Sequence, residues 1–124
     1  MRFLLAIPLL AALSAPAFAQ EINPEGTWRD KFGTVVDFSY CGDGTQLCAV
    51  LRDVQGKSRT EANLAYVNQQ VIQADRTAAN KWQGTVIFDG SKASGTVTQV
   101  AADTIEVQGC RAGIFCQTLA FNRL

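Results

Sequence analysis

Apolar and polar residues alternate over short segments through most of this chain, from residue 26 onward. Val36, Phe38 and Tyr40, for example, fall on one face of a segment whose intervening residues are polar. A period of two is the signature of a β-strand that buries one face. Turn signals such as Asp89-Gly90 separate the segments, and most connections are too short for the crossover helix that parallel strands need. The pattern therefore predicts an all-β fold, an antiparallel up-and-down meander.

Eight alternating segments can be counted, which is enough strands for the sheet to close on itself rather than leave two free edges. They cover residues 27–30, 34–40, 47–51, 67–74, 82–88, 95–100, 104–109 and 117–122. An open antiparallel meander has two edge strands with unpaired backbone groups, and closure into a barrel removes both edges. We therefore expect a small barrel of about eight strands, with an open sandwich of the same strands as the alternative.

Residues 58 to 80 are ambiguous between helix and strand. Ser58-Arg59-Thr60-Glu61 has the form of a capping box, and three apolar residues after it would share one helical face. A Val-Ile pair and a run of three polar residues disfavour a helix further along. We predict a strand over Val67–Ala74 and a loop over Lys57–Tyr66.

The first 19 residues have the three parts of a secretory signal peptide. Met1-Arg2 gives a positive start, residues 3–13 are an unbroken apolar run, and Ala17-Phe18-Ala19 fits a cleavage site. A helix of that run would span only about 16 Å, roughly half of a bilayer core, so no membrane anchor is expected. We predict a signal peptide over residues 1–19, one domain over 20–124, and export to the periplasm or the extracellular space.

Four cysteines fall into two local pairs, Cys41 with Cys48 and Cys110 with Cys116. Export makes the disulfide the default state of cysteine. Three pairings exist, but each local pair brackets a glycine-containing turn, which brings its ends together at a low cost in chain entropy. We therefore predict the disulfides 41–48 and 110–116. The spacings suit neither a redox centre nor a zinc site.

The composition disfavours most enzyme mechanisms and most charged partners. The sequence contains no His, the side chain best suited to proton transfer near neutral pH. Lys+Arg and Asp+Glu are equal at 11 each, so no net field steers the protein onto nucleic acid or an anionic membrane. Most carboxylates fall at turns or strand ends, and the short basic cluster of Arg52, Lys57 and Arg59 is typical of a solvated loop. We predict no catalytic, cofactor-binding or metal-binding residues and no nucleic-acid partner.

Two residues at opposite ends of the predicted domain are expected to meet. Gly26-Thr27-Trp28 opens the first strand and Arg123 ends the last, and these strands are neighbours in a closed meander. The guanidinium is then expected to stack on the indole of Trp28 where the barrel closes. This is similar to the Gly-x-Trp and terminal Arg of calycins, the superfamily of lipocalins, fatty-acid-binding proteins and avidins.

A wider set of motifs extends the resemblance over the whole predicted domain. The set comprises Gly26-Thr27-Trp28, Cys41 with Leu47-Cys48, Asn80-Lys81-Trp82-Gln83-Gly84, Gly109-Cys110, Phe115-Cys116 and Asn122-Arg123. Together they resemble the bacterial exported family of domain of unknown function 2147 (DUF 2147). The resemblance implies a small calycin-like β-barrel, and it brings no established activity, cofactor or catalytic residue.

Four aromatic residues are the candidate ligand-lining residues. Phe38, Tyr40, Trp82 and Phe88 lie at alternating strand positions, a pattern that core packing also produces. An eight-stranded barrel has an interior that is either filled by side chains or holds one small ligand. The leading prediction is a non-enzymatic exported barrel that binds a small apolar or amphipathic ligand. The alternative is a cell-envelope protein–protein interaction module that acts through a loop such as Lys57–Tyr66.

Overall fold

The structure is a computed structural model, and it describes residues 22–124. The described residues form eight strands, a one-turn helix and a 3-10 turn. The strands are β1 (Gly26–Asp30), β2 (Val35–Cys41), β3 (Gln46–Asp53), β4 (Gln70–Ala78), β5 (Lys81–Phe88), β6 (Ser91–Ala101), β7 (Thr104–Arg111) and β8 (Phe115–Arg123). The 3-10 turn (Gly56–Ser58) and α1 (Glu61–Leu64) lie between β3 and β4. The predicted signal peptide, residues 1–19, lies outside the described residues.

Each strand pairs antiparallel with the next in sequence, and β8 pairs with β1, so that the sheet closes. This confirms the predicted up-and-down barrel and excludes the open sandwich. Because successive strands reverse direction, the connections alternate between two ends. We call the end with the β2–β3, β4–β5 and β6–β7 turns the lower end. The upper end carries the β1–β2, β3–β4, β5–β6 and β7–β8 connections.

Burial follows the period of two that the sequence predicts. Val36 and Phe38 on β2 and Leu47, Ala49 and Leu51 on β3 are buried. These inner faces form one hydrophobic core, to which every strand contributes. The hydrophobic driving force therefore acts on one face of each strand and fixes its register against its neighbours.

The β3–β4 connection differs from its prediction. The predicted loop over Lys57–Tyr66 contains α1, and the strand predicted over Val67–Ala74 instead begins at Gln70 and runs to Ala78. The helical turn is capped by Thr60, whose hydroxyl accepts a hydrogen bond from the Asn63 N–H at 3.2 Å. One such bond satisfies a donor that the first turn of a helix leaves free, which explains why α1 forms here.

A left-handed residue explains the late start of β4. Asn68 has a φ of 67°, a conformation that Asn tolerates better than most residues. Its backbone N–H donates to the Leu51 carbonyl at 2.6 Å. The chain therefore completes a turn at residue 68 before it can extend as a strand.

Three glycines lie side by side on β5, β6 and β7. Gly84 pairs with Gly95, and Gly95 pairs with Gly109. A side chain at Gly109 would collide with the ring of Phe88, and one at Gly95 would collide with Val86. Gly95 and Gly109 thus make room for Val86 and Phe88 of β5 on the inner surface of the sheet.

Residues 22–25 close the lower end of the barrel. The indole N–H of Trp28 donates to the Pro24 carbonyl at 2.9 Å, and the Gln99 amide donates to the Asn23 carbonyl at 3.1 Å. The backbone N–H of Ile22 donates to the Asn80 side chain at 2.9 Å. These bonds hold the segment against the barrel, where Pro24 is buried.

The Trp28 and Arg123 side chains meet where β1 pairs with β8. The two residues are register partners, and the guanidinium carbon lies 4.3 Å from the indole ring centroid. The same guanidinium donates to the carbonyls of Asn23 at 2.6 Å and Glu25 at 2.7 Å. Arg123 therefore joins the barrel closure to the segment that seals the lower end.

Both predicted disulfides are present. Cys41–Cys48 joins β2 to β3 at the lower end, and Cys110–Cys116 joins β7 to β8 at the upper end. None of the cysteines is free. Each bridge clips one hairpin across its turn, which confirms the pairing inferred from the glycine-containing turns.

Candidate ligand cavity

A cavity of about 250 Å³ occupies the upper half of the barrel. Its deep wall consists of buried aliphatic side chains from several strands, including Val36, Leu51, Ile72, Val86 and Val107. Towards the upper end the wall continues through exposed residues: Phe32, Lys57, Asp89 and Gln117. The cavity therefore reaches from the apolar interior to the surface.

A cluster of three aromatic rings lies below the cavity. The ring of Phe38 meets that of Trp28 edge-on at a centroid distance of 6.3 Å and that of Phe121 at 6.4 Å. Phe121 also lines the cavity. Edge-to-face rings at these distances pack favourably. Three large side chains thus fill the barrel below the cavity, whereas smaller aliphatic ones surround it above.

The β3–β4 connection lies over the upper end and supplies part of the wall. Ser58, Asn63 and Tyr66 line the cavity. The side-chain amide of Asn63 donates to the Ser58 carbonyl at 2.8 Å and to the Asp89 carboxylate at 3.4 Å. The second bond links this connection to the β5–β6 turn. The connection that the sequence leaves ambiguous is therefore part of the mouth.

Asp30 places a buried carboxylate in the cavity wall. The residue is 5% exposed and lies two positions after Trp28, on the inner face of β1. Its Oδ1 accepts hydrogen bonds from the backbone N–H groups of Phe32 at 2.9 Å and Thr34 at 2.8 Å. Its Oδ2 is buried without a hydrogen-bond partner among the described residues. A buried carboxylate oxygen without a donor costs free energy, so a hydrogen bond donated to Oδ2 would be favourable.

The four aromatic residues predicted as ligand-lining divide between the core and the cavity. Phe88 lies in the cavity wall. Phe38 and Trp82 are buried in the core and Tyr40 is half-buried, and these three are absent from the wall. The indole N–H of Trp82 donates to the Thr45 carbonyl at 3.0 Å, a contact at the lower end. Core filling is therefore the role that the structure gives to Phe38 and Trp82.

The outer wall carries a polar cluster that is separate from the cavity. The Thr27 hydroxyl donates to one oxygen of Asp37 at 2.7 Å, and the Arg52 guanidinium donates to the other at 2.7 Å. These hydrogen bonds, first that of Thr27 and then that of Arg52, lower the pKa of Asp37 below its ordinary value. The cluster stabilises the pairing of β1, β2 and β3 on the outer face.

A second, polar cleft borders the closure of the barrel. It is lined by Arg29, Asp30, Lys31, Asn122, Arg123 and Leu124. The Arg123 guanidinium already donates to three backbone carbonyls, including that of Ala102 at 3.2 Å. The Arg123 side chain in this cleft therefore has mainly a structural role.

The described residues contain no group of three or more His, Cys, Asp or Glu side chains placed to hold a metal ion. Within residues 22–124, no helix combines the length and the apolar character needed to span a bilayer.

Two parts of the cavity escape prediction from the sequence. Asp30 lies two residues after Trp28 in β1, so both side chains fall on the inner face of the strand. An acidic residue at an inward position is the sequence signal that would have identified Asp30 as part of the cavity. Asn63 and Tyr66 carry no comparable signal, because their place over the mouth depends on contacts with the distant β5–β6 turn.

The fold and the cavity define a class of protein: a small closed β-barrel with an apolar cavity open at one end. The chain matches no protein-family model, no curated protein and no solved structure. Membership in the DUF 2147 family therefore stays a prediction from the motifs.

Proposed function

We propose that this protein is an exported, non-enzymatic barrel that binds one small apolar or amphipathic molecule in the upper cavity. The observation that carries the proposal is the cavity itself, about 250 Å³ of space lined mainly by apolar side chains. Ligand sites of small-molecule-binding proteins share this character, with a largely apolar wall and a few placed polar groups. The motif resemblance to the DUF 2147 family is part of the proposal and adds no activity to it.

Export is the second part of the proposal. Residues 1–19 have the form of a signal peptide, and both cysteine pairs are oxidised. Disulfides persist in oxidising compartments, which supports a periplasmic or extracellular location. The mature protein is expected to begin at Gln20. Sequencing the N-terminus of the exported protein tests this, and a retained Met1 would contradict it.

Native mass spectrometry of protein purified from its compartment tests the binding function. We expect a small-molecule adduct that organic extraction releases. The variant Leu119→Trp should prevent the adduct, because Leu119 lines the cavity and a larger side chain would fill it. Thr118→Trp is the matched control, since Thr118 is exposed at the neighbouring position of β8. A protein that carries no adduct and takes up none from a lipid extract would contradict the proposal.

A specific surface feature favours the alternative function as a cell-envelope interaction module. Ile114 and Phe115 are 76% and 71% exposed at the tip of the β7–β8 hairpin. Adjacent exposed apolar residues of this size often mark a protein contact. In this alternative the hairpin tip, rather than the predicted loop Lys57–Tyr66, contacts another exported protein. A photo-crosslinking residue at position 115, compared with one at position 85 on the outer wall, tests it. The alternative fails if both positions capture the same proteins.

A further inference from the structure

We propose that the ligand of the upper cavity is a short alkyl ammonium whose nitrogen donates a hydrogen bond to Asp30. This inference rests on the proposed binding function and names the chemistry of the ligand. The position of Asp30 is the starting point. It faces inward beside Trp28, pairs in register with Phe121, and lines the same cavity as Phe121.

The two oxygens of the Asp30 carboxylate have different roles. Oδ1 accepts two backbone N–H groups and thereby fixes the β1–β2 turn. Oδ2 is buried and accepts none from the described residues. The turn therefore needs one oxygen of this carboxylate and leaves the second available to another donor.

Within residues 22–124, the Asp30 carboxylate lacks a cationic partner as well as a donor to Oδ2. No ion pair joins Asp30 to a basic side chain of the described residues. An alcohol offers Oδ2 one O–H donor and no charge, whereas an ammonium offers up to three N–H donors together with a positive charge.

The rest of the cavity wall determines the chemistry and length of the other end of the ligand. Leu51, Ile72 and Val86 offer an aliphatic surface for an alkyl chain. At about 250 Å³ the cavity is smaller than the ~300 to 1,000 Å³ of most drug-sized sites, which limits the chain to a short one. Lys57 and Asp89 lie at the rim with opposite charges and are both exposed, so water and salt screen them. Asp30 is therefore the residue expected to select the head group of the ligand by its charge.

Calorimetric titration of the disulfide-bonded protein at neutral pH with octylamine, octan-1-ol and octanoate tests the inference. The three probes share one alkyl chain and differ in the head group. We expect octylamine to bind about tenfold more tightly than octan-1-ol, as a charge-assisted hydrogen bond allows, and octanoate to bind least. Asp30→Asn retains an oxygen for the β1–β2 turn, and it should reduce the octylamine affinity to that of octan-1-ol. Asp103→Asn is the matched control, since this exposed carboxylate lies in the β6–β7 turn at the lower end, and it should preserve the tenfold preference.

The outcomes separate this inference from the proposed function. Equal binding of amine and alcohol by the natural protein would overturn the ammonium inference and leave the binding function standing. Retention of the preference in Asp30→Asn, or its loss in Asp103→Asn, would also overturn it. Failure of all three probes to bind would overturn it as well, and the native adduct would then decide the binding function separately. If Asp30→Asn does not fold, a crystal structure of the natural protein with octylamine decides. The nitrogen should lie within about 3.2 Å of Oδ2, and a nitrogen placed elsewhere would contradict the inference.

Discussion

The guanidinium of Arg123 lies over the indole of Trp28, its register partner, at the point where the first and last strands pair. The contact combines a cation–π interaction with hydrogen bonds to the carbonyls of Asn23 and Glu25. It therefore joins the segment that seals the lower end to β1 and β8.

Replacing Arg123 by Lys should destabilise the barrel by about 1 to 3 kcal/mol, although the charge is kept. Lys lacks the planar fork that stacks on an indole while donating to several carbonyls. Urea unfolding followed by Trp fluorescence measures the change. Arg29→Lys, on the exposed face of β1, is the control and should change stability by less than about 0.5 kcal/mol. Equal losses in the two variants would show that the stacked geometry contributes nothing.

The two disulfides should lower the intact mass of the native protein by about 4 Da relative to its reduced form. Replacing both cysteines of either bridge by Ser should cost about 2 kcal/mol, because each bridge closes a loop of only a few residues in the unfolded chain. Mass spectrometry and urea unfolding provide the two measurements. Alkylation of any cysteine in the unfolded, unreduced protein would contradict the pairing.

Acid should weaken the outer-wall cluster of Thr27, Asp37 and Arg52. The folded-state pKa of Asp37 lies below its ordinary value of 3.8, so its contribution is present above about pH 4 and is lost as the pH falls through the folded pKa. Asp37 is about one-third exposed, so the contribution is small, about 0.2 to 1 kcal/mol.

Thr27→Val tests the cause of this pKa shift. Removing the hydroxyl should raise the pKa of Asp37 towards its ordinary value, because the Thr27 hydrogen bond is the largest cause of the lowering. The titration of the Asp37 carboxyl carbon by NMR measures it. Arg52→Gln should also raise the pKa, because it removes both a hydrogen bond and a positive charge from Asp37. If the pKa of Asp37 is unchanged in Thr27→Val, the Thr27 hydroxyl does not cause the lowering.

Gly109→Ala should destabilise the protein by about 1 to 3 kcal/mol, because the new methyl group would collide with the Phe88 ring. The same substitution in a Phe88→Ala background should cost much less, since the collision is removed. A double-mutant cycle by urea unfolding measures this coupling. Equal costs in both backgrounds would mean that strand conformation, rather than the ring, requires glycine at this position.

The architecture follows from the sequence because hydrophobic alternation is a local signal. Val36, Phe38 and the residues of β3 show their inner face in the sequence itself, and tight turns leave antiparallel neighbours as the simplest pairing. The β3–β4 connection is predicted less well. There a single Thr60 cap and a left-handed Asn68 decide the path, and both act over a few residues against a weak pattern.

The cavity is harder to predict, since it depends on height along the barrel as well as on face. Phe38 and Phe88 both lie at alternating positions with an apolar face, yet Phe38 packs in the core below the cavity and Phe88 lines the cavity wall. Their heights follow from the stagger between strands, which a single strand's sequence does not encode. The inward position of Asp30 can be predicted from the alternation of residues in β1. That its Oδ2 has no hydrogen-bond partner among the described residues is evident only once its surroundings are known.

The sealed lower end has a practical consequence for handling the protein. Ile22 bonds to Asn80 at that end, and the backbone N–H of Leu124 bonds to the Thr27 carbonyl there. A purification tag or surface attachment introduced at Leu124 would thus point the cavity mouth towards solution. An immobilised binding assay of this kind would leave ligand access unobstructed.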